Sequence, residues 1–483
     1  MMRVRVEGVT LNWSAMAPAE RPSAGRSKKS RRSWVIVRPR SAHASRRPGS
    51  ERATSLPNSR KASSRVVSDI CIRYNLCGMV SSLSWAFLRS FVQIQKDTIE
   101  SVENEFASAT ENQALKQRII ARISDEGPIT FREFTAIALY EPRLGYYCSG
   151  RETMGRAGDY LTSPEVSPIF GAMVGRQLRE MWEAMGSPAR WDVVEAGAGN
   201  GTLCRDILRW ARQMSPEFFE AIRYLNVEPI PALASRQREL VAHDSLDQKV
   251  CWPDEMPDGI KGCVLSNELL DSMPVHRVRV EGGELRELFV DWNGTQFREE
   301  SREPSTPEIE RYFGRLGLVP GEGCTAEVNV AAADWMSRAG AALRSGFILT
   351  LDYGYEAEEL YAAWRKEGTL LCFYRHNPSN DPYARIGRQD MTSHLDFTSL
   401  RHAGEASGLK TLGLVSQSEF LINLGIGEAW AARRDEPSLE ERLARRRAVS
   451  ELVDPTGLGR IKVLVQAKGI DGAALRGLSG IGS

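Results

Sequence analysis

The residues of this chain that most clearly indicate chemistry are three glycines and one acid at alternate positions. Glu195, Gly197, Gly199 and Gly201 follow an apolar run that begins at Trp191, and a stretch with helical apolar spacing comes after them. Three glycines in five residues allow a sharp turn from strand to helix, and they leave no Cβ where a ligand would lie against the backbone. The pattern is typical of a loop that binds a nucleotide-containing cofactor at the amino end of a helix.

The spacing of the glycines separates two classes of cofactor. A dinucleotide loop reads G-x-G-x-x-G, whereas this chain reads G-x-G-x-G with Glu195 two residues before the first glycine. A carboxylate there would repel a pyrophosphate but would suit the α-ammonium group of a methionine-type cofactor. The segment resembles the first motif of the class I S-adenosylmethionine methyltransferases, which implies S-adenosyl-L-methionine as cofactor. An ordinary glycine-rich turn is the alternative.

The companions expected of such a loop follow along the chain. Residues 222–227 predict a strand that ends at Glu228, where a carboxylate can accept hydrogen bonds from the ribose hydroxyls of an adenosine. A surface glutamate that caps the next helix is the alternative. Residues 262–266 predict a further strand that ends at Asn267 and Glu268. Ligands of open parallel sheets lie at the carboxyl ends of the strands, so these side chains are candidates for a site.

Strands and helices alternate over most of the chain. This alternation predicts an α/β fold with a mostly parallel sheet. The resemblance of the glycine loop implies that this fold is a Rossmann-like class I methyltransferase domain with helices on both faces of the sheet. Several additions are expected: a helix, turn and helix over 111–140 with Thr130 as an N-cap, a helix from Ser163 to Trp182, a β-hairpin near 275–291, strands at 411–415 and 461–467, and helices near 419–432 and 438–452.

The first 78 residues differ from the rest of the chain in charge. They hold 17 Lys and Arg against 4 Asp and Glu, whereas the remainder holds 46 against 58. Their richness in Ser, Arg and Pro predicts disorder. Three interpretations stay open: an organellar transit peptide, a nucleic-acid-binding tail, or a translated upstream region before a start at Met79. Residues 79–94 are too short and too polar to span a bilayer.

The remaining segments have simpler expectations. Residues 79–165 are expected to form a helical region with a cofactor-covering loop, 166–470 the methyltransferase domain, and 471–483 a flexible tail. The eight cysteines and six histidines are scattered without a C-x-x-C pair. Neither a metal site nor a disulfide framework is therefore indicated, and a reducing compartment fits best.

Eight stretches taken together resemble the MidA family. They are 127–130, 144–147, 158–165, 195–203, 267–275, 352–354, 390–397 and 420–426. The resemblance implies a class I methyltransferase fold with extra elements and, in the mitochondrial branch, assistance in assembling respiratory complex I by methylation of an arginine in one subunit. Residues 373–376 and 381–383 are more similar to the bacterial branch. That similarity implies a cytoplasmic location, with the mitochondrial matrix as the alternative if residues 1–78 are a transit peptide.

An arginine acceptor makes a specific demand on the site. Transfer from a sulfonium needs alignment and exclusion of water more than it needs a strong base. A guanidinium, however, is protonated at physiological pH and is a poor nucleophile. Carboxylates near the methyl group would hold it in bidentate geometry. Glu268 and Asp271, with Asn267 beside them, are the candidate catalytic residues, and a helix-capping or structural role is the alternative.

Two further segments are expected near the ligands. The resemblance implies that a loop with Gly158, Asp159 and Thr162 covers the cofactor, although a purely structural loop is the alternative. His394 and Asp396 lie in a mixed polar and apolar stretch that is a candidate for the acceptor groove. A buried structural histidine is the commoner outcome for such a residue.

The sequence therefore predicts an S-adenosylmethionine-dependent methyltransferase that modifies a protein side chain, with arginine favoured. A cofactor-binding assembly factor with little catalytic role is the alternative. A nicotinamide-dependent oxidoreductase is a third hypothesis, against which the glycine spacing argues. We expect a protein acceptor as the partner, no nucleic acid and no membrane span, and the sequence does not determine the oligomeric state.

Overall fold

The computed structural model describes residues 4–6, 9–11, 111–431, 438–470 and 472–479. The chain divides into two compact units, Met1–Phe87 and Leu88–Ser483. In the first unit, Val4–Val6 (β1) and Val9–Leu11 (β2) pair antiparallel. The rest of the basic 1–78 segment, with the predictions made for it, lies outside the described residues, as do residues 79–110.

The second unit contains the remaining strands and all the described helices. The strands are β3 (Ile129–Thr130), β4 (Trp191–Ala196), β5 (Ile222–Val227), β6 (Val250–Cys251), β7 (Ile260–Asn267), β8 (His276–Glu281), β9 (Glu284–Trp292), β10 (Phe297–Arg302), β11 (Thr325–Val328), β12 (Leu343–Asp352), β13 (Gly354–Tyr355), β14 (Leu371–Tyr374), β15 (Asn377–Ser379), β16 (Asp390–Thr392), β17 (Leu395–Asp396), β18 (Lys410–Ser416) and β19 (Lys462–Lys468). The α-helices are α1 (Gln113–Glu126), α2 (Phe131–Tyr140), α3 (Ser163–Val166), α4 (Pro168–Ala184), α5 (Thr202–Met214), α6 (Pro216–Ala221), α7 (Pro231–His243), α8 (Pro307–Leu316), α9 (Val330–Ala342), α10 (Ala357–Leu360), α11 (Phe397–Ala406), α12 (Gln417–Asn423), α13 (Ile426–Ala431) and α14 (Leu439–Val453). Short 3₁₀ turns lie at Asp247–Lys249, Leu270–Ser272 and Leu458–Arg460.

A seven-stranded sheet forms the centre of this unit, in the order β18-β19-β12-β7-β4-β5-β6. The pairs from β12 to β6 are parallel, and β19 is antiparallel to both of its neighbours. The predicted mostly parallel sheet is therefore confirmed. The order of the strands reverses between β4 and β7, and the crevice beyond the carboxyl ends of the strands at such a point is where open α/β sheets bind ligands.

The predicted hairpin belongs to a second, antiparallel sheet. Strands β8 and β9 are joined by Gly282 and Gly283, both with positive φ, as a tight hairpin turn requires. The sheet has the order β10-β9-β8-β11, and β3 also pairs with β9. Since β3 leads directly into α2, this sheet holds the amino-terminal helices in position.

The predicted N-cap at Thr130 is confirmed as a complete capping box. The backbone amide of Glu133 donates to the Thr130 hydroxyl at 3.1 Å, and the Glu133 carboxylate accepts from the Thr130 amide at 3.0 Å. Helix α2 then buries Phe131 and Phe134 in an aromatic cluster with Phe297 and Tyr383. The cap and the cluster fix the position of α2 and of its last residue, Tyr140.

The helix predicted from Ser163 to Trp182 is interrupted. It forms two helices, α3 and α4, because Ser167 is extended (φ −166°, ψ 144°) in front of Pro168. A residue that precedes proline is sterically driven out of the helical region, which explains the break. The helix expected near 419–432 is likewise divided into α12 and α13, with Gly425 at a positive φ between them.

Helices α4 and α5 pack closely, and this packing fixes the helix behind the glycine loop. A Cβ at Gly171 would lie 2.5 Å from the Asp206 Cβ, and one at Gly175 would lie 2.6 Å from the Trp210 ring. These two glycines therefore allow the close approach. No helix in the described ranges has the length and apolarity that a bilayer span requires.

The described part of the carboxyl-terminal segment is packed against α4. Leu475 is 2% exposed, and the backbone amide of Gly477 donates to the side chain of Gln177 at 3.1 Å. The prediction of a flexible tail is therefore wrong for residues 472–479. Residues 472–479 form neither a helix nor a strand. Their sequence therefore has no helical or strand periodicity from which their packing against α4 could be predicted.

Candidate active site

The glycine loop joins β4 to α5 with three left-handed residues. Gly197, Gly199 and Gly201 have φ values of 64°, 54° and 84°. The amide of Gly197 donates to the Val227 carbonyl at 3.0 Å, which fixes the loop to the end of β5. Gly201 is the N-cap of α5. The backbone itself thus requires glycine at all three positions.

A cavity of 670 Å³ opens above this loop at the reversal of the strand order. Its wall combines the glycine loop, the end of β5, the start of α7, the loop after β6 and the turn after β7. Among the lining residues are Tyr147, Tyr160, Gly197, Gly199, Val227, Glu228, Ile230, Leu233, Met256 and Glu268. The volume and the mixture of apolar walls with a few polar groups suit a nucleoside-sized cofactor.

Glu228 is linked to the glycine loop through Gln237. The Glu228 carboxylate accepts from the Ile230 amide at 3.0 Å and from the Gln237 side chain at 3.1 Å. The same Gln237 nitrogen donates to the Gly199 carbonyl at 2.9 Å. Burial raises the pKa of Glu228 to about 7. An ionised carboxylate on this wall can accept hydrogen bonds from a ligand.

Gln237 was not found by sequence reasoning, although a signal existed. It lies on the buried stripe of α7 with Leu233 and Val241, where a polar residue is unusual. Its carbonyl oxygen accepts from the Trp252 indole at 2.9 Å. The amide nitrogen and oxygen of the Gln237 side chain therefore connect the glycine loop, the Glu228 carboxylate and the segment after β6.

Glu195 lies behind the loop and does not line the cavity. It is 2% exposed, and its carboxylate accepts from the Tyr224 hydroxyl at 2.6 Å. Burial raises its pKa to about 7. This position differs from the expected direct contact with an ammonium group. The alternation of β4 places the Glu195 side chain on the same face of the sheet as Tyr224 of β5, under the start of the loop.

A second cavity of 210 Å³ shares a wall with the first. Tyr147, Tyr160 and Glu268 line both cavities. The rest of the second wall comes from segments that are distant in sequence, including Asp159, Asp271, Tyr353, Phe373, His376, Asp390, His394 and Arg460. The two cavities are therefore adjacent.

Glu268 occupies a strained position on the shared wall. It has a φ of 47°, and its amide donates to the Leu351 carbonyl at 2.8 Å. Its carboxylate accepts from the Ser163 amide at 2.9 Å and the Asn267 side chain at 3.2 Å. Burial raises its pKa to about 8. A left-handed non-glycine residue at such a point is typical of a functional site.

Asp271 faces the second cavity among other acids. It is 7% exposed, and Asp352, Asp390 and Glu268 are the charged groups that act on it. Burial and these like charges raise the pKa of Asp271 well above its ordinary value. The structure therefore brings Glu268 and Asp271 together around one cavity.

Asp390 completes the acidic wall and was not singled out as a site residue from the sequence. One of its oxygens accepts from the Tyr147 hydroxyl at 2.6 Å and from the Met391 amide at 2.9 Å. Burial raises its pKa to about 6. The 144–147 and 390–397 stretches both carry the family resemblance, but nothing in their spacing indicated that they meet.

Several predicted residues lie outside both cavity walls. Asn267 contacts Glu268 and not a cavity, and Thr162 is the residue before α3. A Cβ at Gly158 would lie 2.3 Å from the Thr153 carbonyl, so that glycine serves the fold of its own loop. These positions differ from the expectation that Gly158 and Thr162 cover the cofactor directly.

Asp159 lines the second cavity instead of the first. Its carboxylate accepts from the Tyr146 hydroxyl at 2.9 Å and the Arg375 amide at 2.8 Å. The 158–165 loop contacts the end of the glycine loop through another residue, Glu165. The carboxylate of Glu165 accepts a hydrogen bond from the hydroxyl of Thr202 at 2.7 Å.

His394 and Asp396 do not act as a pair. His394 lines the second cavity, whereas Asp396 is buried as the N-cap of α11 and accepts from the Thr398 amide at 2.9 Å. The Tyr312 hydroxyl donates to its other oxygen at 2.9 Å. Asp396 is therefore a structural residue, contrary to the expectation of an acceptor groove.

The strand order, the glycine loop and the cavity above it define a class I S-adenosylmethionine-dependent methyltransferase. A sequence model of a family described as S-adenosyl-L-methionine-dependent methyltransferases matches residues 173–415. A Burkholderia thailandensis protein solved with S-adenosyl-homocysteine bound superposes with a TM-score of 0.70 at 32% identity, and the match covers 77% of this chain and 95% of that one.

Two curated relatives sharpen the assignment. A Drosophila melanogaster protein named mitochondrial protein arginine methyltransferase NDUFAF7 homolog is 31% identical, over 75% of this chain and 86% of its own. The Homo sapiens protein named NDUFAF7 is 27% identical, over 71% of this chain and 80% of its own. The chain belongs to the MidA family, and the predicted enzyme class and cofactor are confirmed.

Proposed function

We propose that this enzyme transfers the methyl group of S-adenosylmethionine to an arginine side chain of a protein acceptor. The observation that carries the proposal is the second cavity, where Glu268, Asp271 and Asp390 face one another beside the cofactor cavity. Buried acids of like charge are costly to ionise unless a cation neutralises them, and without one they take up protons. A guanidinium supplies that charge and has donors for several carboxylates at once. The names of the eukaryotic relatives support the same acceptor.

The cofactor is proposed to lie along the first cavity. Its methionine end would lie on Gly197 and Gly199, and its ribose hydroxyls would donate to Glu228. The adenine would lie among Ile230, Leu233 and Met256, whose side chains give that end of the cavity an apolar wall. Glu195 is assigned to holding the loop from behind.

The acceptor is proposed to enter the second cavity. Asp271 and Asp390 would fix its guanidinium, and Glu268 on the shared wall would orient the attacking nitrogen toward the methyl group. In the transfer, the nitrogen lone pair forms the new N–C bond as the C–S bond breaks and S-adenosyl-homocysteine leaves. The proton that the nitrogen then loses passes to a carboxylate of this wall, and the raised pKa of Glu268, about 8, suits such a proton acceptor.

A cytoplasmic location is proposed from the bacterial-type segment at 373–376, and the mitochondrial matrix is the alternative that the names of the relatives favour. The location does not alter the chemistry of the site.

The test of the proposed function uses the full chain with S-adenosylmethionine that carries a deuterated methyl group. A cell lysate supplies the acceptors, and mass spectrometry locates the heavy methyl groups. We expect heavy methylarginine that is absent when Gly199→Val replaces the wild type. Heavy methyl only on lysine, carboxyl groups or small molecules would contradict the proposal. Retained S-adenosyl-homocysteine binding without any transfer would favour the assembly-factor alternative.

A further inference from the structure

An aromatic cluster lies at one side of the second cavity, the proposed acceptor cavity. His394 lines the cavity, stacks on Tyr353 with ring centroids 6.1 Å apart, and meets Tyr355 edge-on at 5.2 Å. Tyr353 also lines the cavity. The three rings are held in place by β13, since Tyr353 immediately precedes this strand and Tyr355 ends it, while β17 pairs with β13 immediately after His394.

Two arginines lie against these rings. The Arg460 guanidinium is 5.5 Å from the centroid of Tyr353, and Arg460 lines the acceptor cavity. The Arg365 guanidinium lies between Tyr355, at 4.7 Å, and Trp364, at 4.6 Å. Trp364 is 68% exposed. Burial, together with the positive charges of Arg460 and Arg365, lowers the pKa of His394 to about 4.

Neither arginine is paired with an acid in the described part of the chain. Other arginines of this unit have carboxylate partners, as Arg286, Arg298 and Arg302 do. No such ion pair forms at Arg365 or Arg460 within the described ranges, and the buried Arg365 Nε has no hydrogen-bond partner there. Ring stacking covers the faces of a guanidinium and leaves its N–H edge available to a carboxylate.

We infer that Arg460 and Arg365, with Trp364 beside Arg365, form a subsite for an acidic side chain of the protein acceptor, close in sequence to the arginine that is methylated. This inference rests on the proposed function. The acceptor cavity is thus acidic at Asp271 and basic at Arg460, and one polypeptide segment that carries both an arginine and an acid complements both ends.

Continuity with the acceptor cavity favours a polypeptide over a free anion. Arg460 and Asp271 line the same 210 Å³ space, so a ligand that fills this space meets both side chains. A free phosphate bound at Arg460 would occupy part of the cavity that the protein acceptor needs. The exposed indole of Trp364 also suits the backbone or an apolar side chain of a peptide, because aromatic residues and arginines are enriched where proteins recognise each other.

The test begins with the arginines that the wild-type enzyme methylates in the lysate experiment. In the acceptor protein so identified, each Asp or Glu within a few residues of the arginine is replaced by Ala and, separately, by Lys. The enzyme variants are Arg460→Glu and Arg365→Glu. Arg302→Glu is the matched control, since Arg302 also stacks on a ring, that of Phe289, at 5.4 Å, but in the antiparallel sheet.

We expect one acidic residue of the acceptor whose change to Ala lowers kcat/KM about tenfold, since a charged pair at an interface has an effect of this order. Its change to Lys lowers the rate further, and Arg460→Glu partly restores the rate for that Lys acceptor. The affinity for S-adenosyl-homocysteine stays unchanged in Arg460→Glu and Arg365→Glu, and Arg302→Glu behaves as wild type.

Arginine methylation that is insensitive to every acidic neighbour and to both enzyme variants would overturn the inference and leave the proposed function intact. Inhibition by inorganic phosphate that Arg460→Glu relieves, with no effect of the acceptor's acids, would identify a free-anion site and would also overturn it. Absence of any methylarginine, by contrast, would be a failure of the proposed function itself.

Discussion

The two cavities of this methyltransferase are built in different ways. The wall of the cofactor cavity comes largely from consecutive elements of the parallel sheet, from β4 through the glycine loop to the segment after β6. The wall of the acceptor cavity combines segments around Tyr147, Glu268, Asp390 and Arg460, which are far apart in the sequence. Under the proposed function, the donor site therefore belongs to the central sheet, whereas the acceptor site depends on the segments added to that sheet.

The cavities also differ in how their acids are satisfied. Glu228 has two hydrogen-bond donors of the protein, Ile230 and Gln237, that hold it in place without a ligand. Asp271 is surrounded by Asp352, Asp390 and Glu268 and has no cationic partner among the described residues. The cofactor cavity is thus suited to a ligand with hydroxyl groups, and the proposed acceptor cavity is suited to a cationic group.

The largest effect is expected at the glycine loop. Gly199→Val places a branched side chain at a φ of 54°, beside the Met154 sulfur, on the wall of the cofactor cavity. We expect the affinity for S-adenosyl-homocysteine to fall by more than about a hundredfold, because the side chain occupies ligand space and the loop is strained. Calorimetry gives the affinity, and circular dichroism verifies the fold. Unchanged binding would refute the location of the cofactor.

Glu228→Gln tests the donor cavity with a smaller change. Glutamine keeps an oxygen for the Ile230 amide but loses the charge, so S-adenosyl-homocysteine should bind about 10 to 100 times more weakly, as for the loss of charged hydrogen bonds. The rate at saturating S-adenosylmethionine should change little. An unaltered dissociation constant would return Glu228 to the role of a helix cap.

The two cavities should also respond differently to pH. The pKa of Glu228 is raised to about 7 and that of Glu268 to about 8, and each acid must be ionised to act. Affinity for S-adenosyl-homocysteine should therefore rise with pH and level off above pH 7. The methylation rate at saturating donor should keep rising toward pH 8, by roughly tenfold per unit below the pKa. Coincident profiles would contradict the separation of the two groups.

The smallest effect on activity is expected at Asp396. Asp396→Ala removes the N-cap of α11, which should lower the free energy of unfolding by about 1–2 kcal/mol and leave both affinity and rate unchanged. Denaturant unfolding measures the first, and the methylation assay the second. A lost reaction with unchanged stability would restore Asp396 to the acceptor groove.

The sequence was most informative for features that depend only on residues close together in the chain. The strand limits of β5, the cap at Thr130 and the glycine loop depend on local backbone chemistry, so spacing alone predicted them. The break at Ser167 was also local but was missed, because the apolar period continues across Pro168. Periodicity outweighed the proline rule in that prediction.

The acceptor wall was less accessible to sequence reasoning. Asp390 acts beside Glu268 only because the tertiary fold brings β16 to the turn after β7, and no period or spacing encodes that contact. Gln237 is the intermediate case. A polar residue on a buried helical stripe is visible in the sequence. Its hydrogen bonds to Glu228 and Gly199, however, depend on the tertiary fold and could not be predicted from the sequence.

The most direct test of an acidic acceptor cavity beside a separate cofactor cavity is Asp271→Asn compared with Glu228→Gln in the same assays. Asp271 lines only the acceptor cavity, and asparagine preserves its shape without the charge. We predict that Asp271→Asn lowers methyl transfer to the arginine acceptor by about two to three orders of magnitude, the scale of losing one charge-stabilising group in a transition state, while the dissociation constant of S-adenosyl-homocysteine changes by less than about threefold. Equal losses of transfer and cofactor affinity, or full retained transfer, would contradict the account.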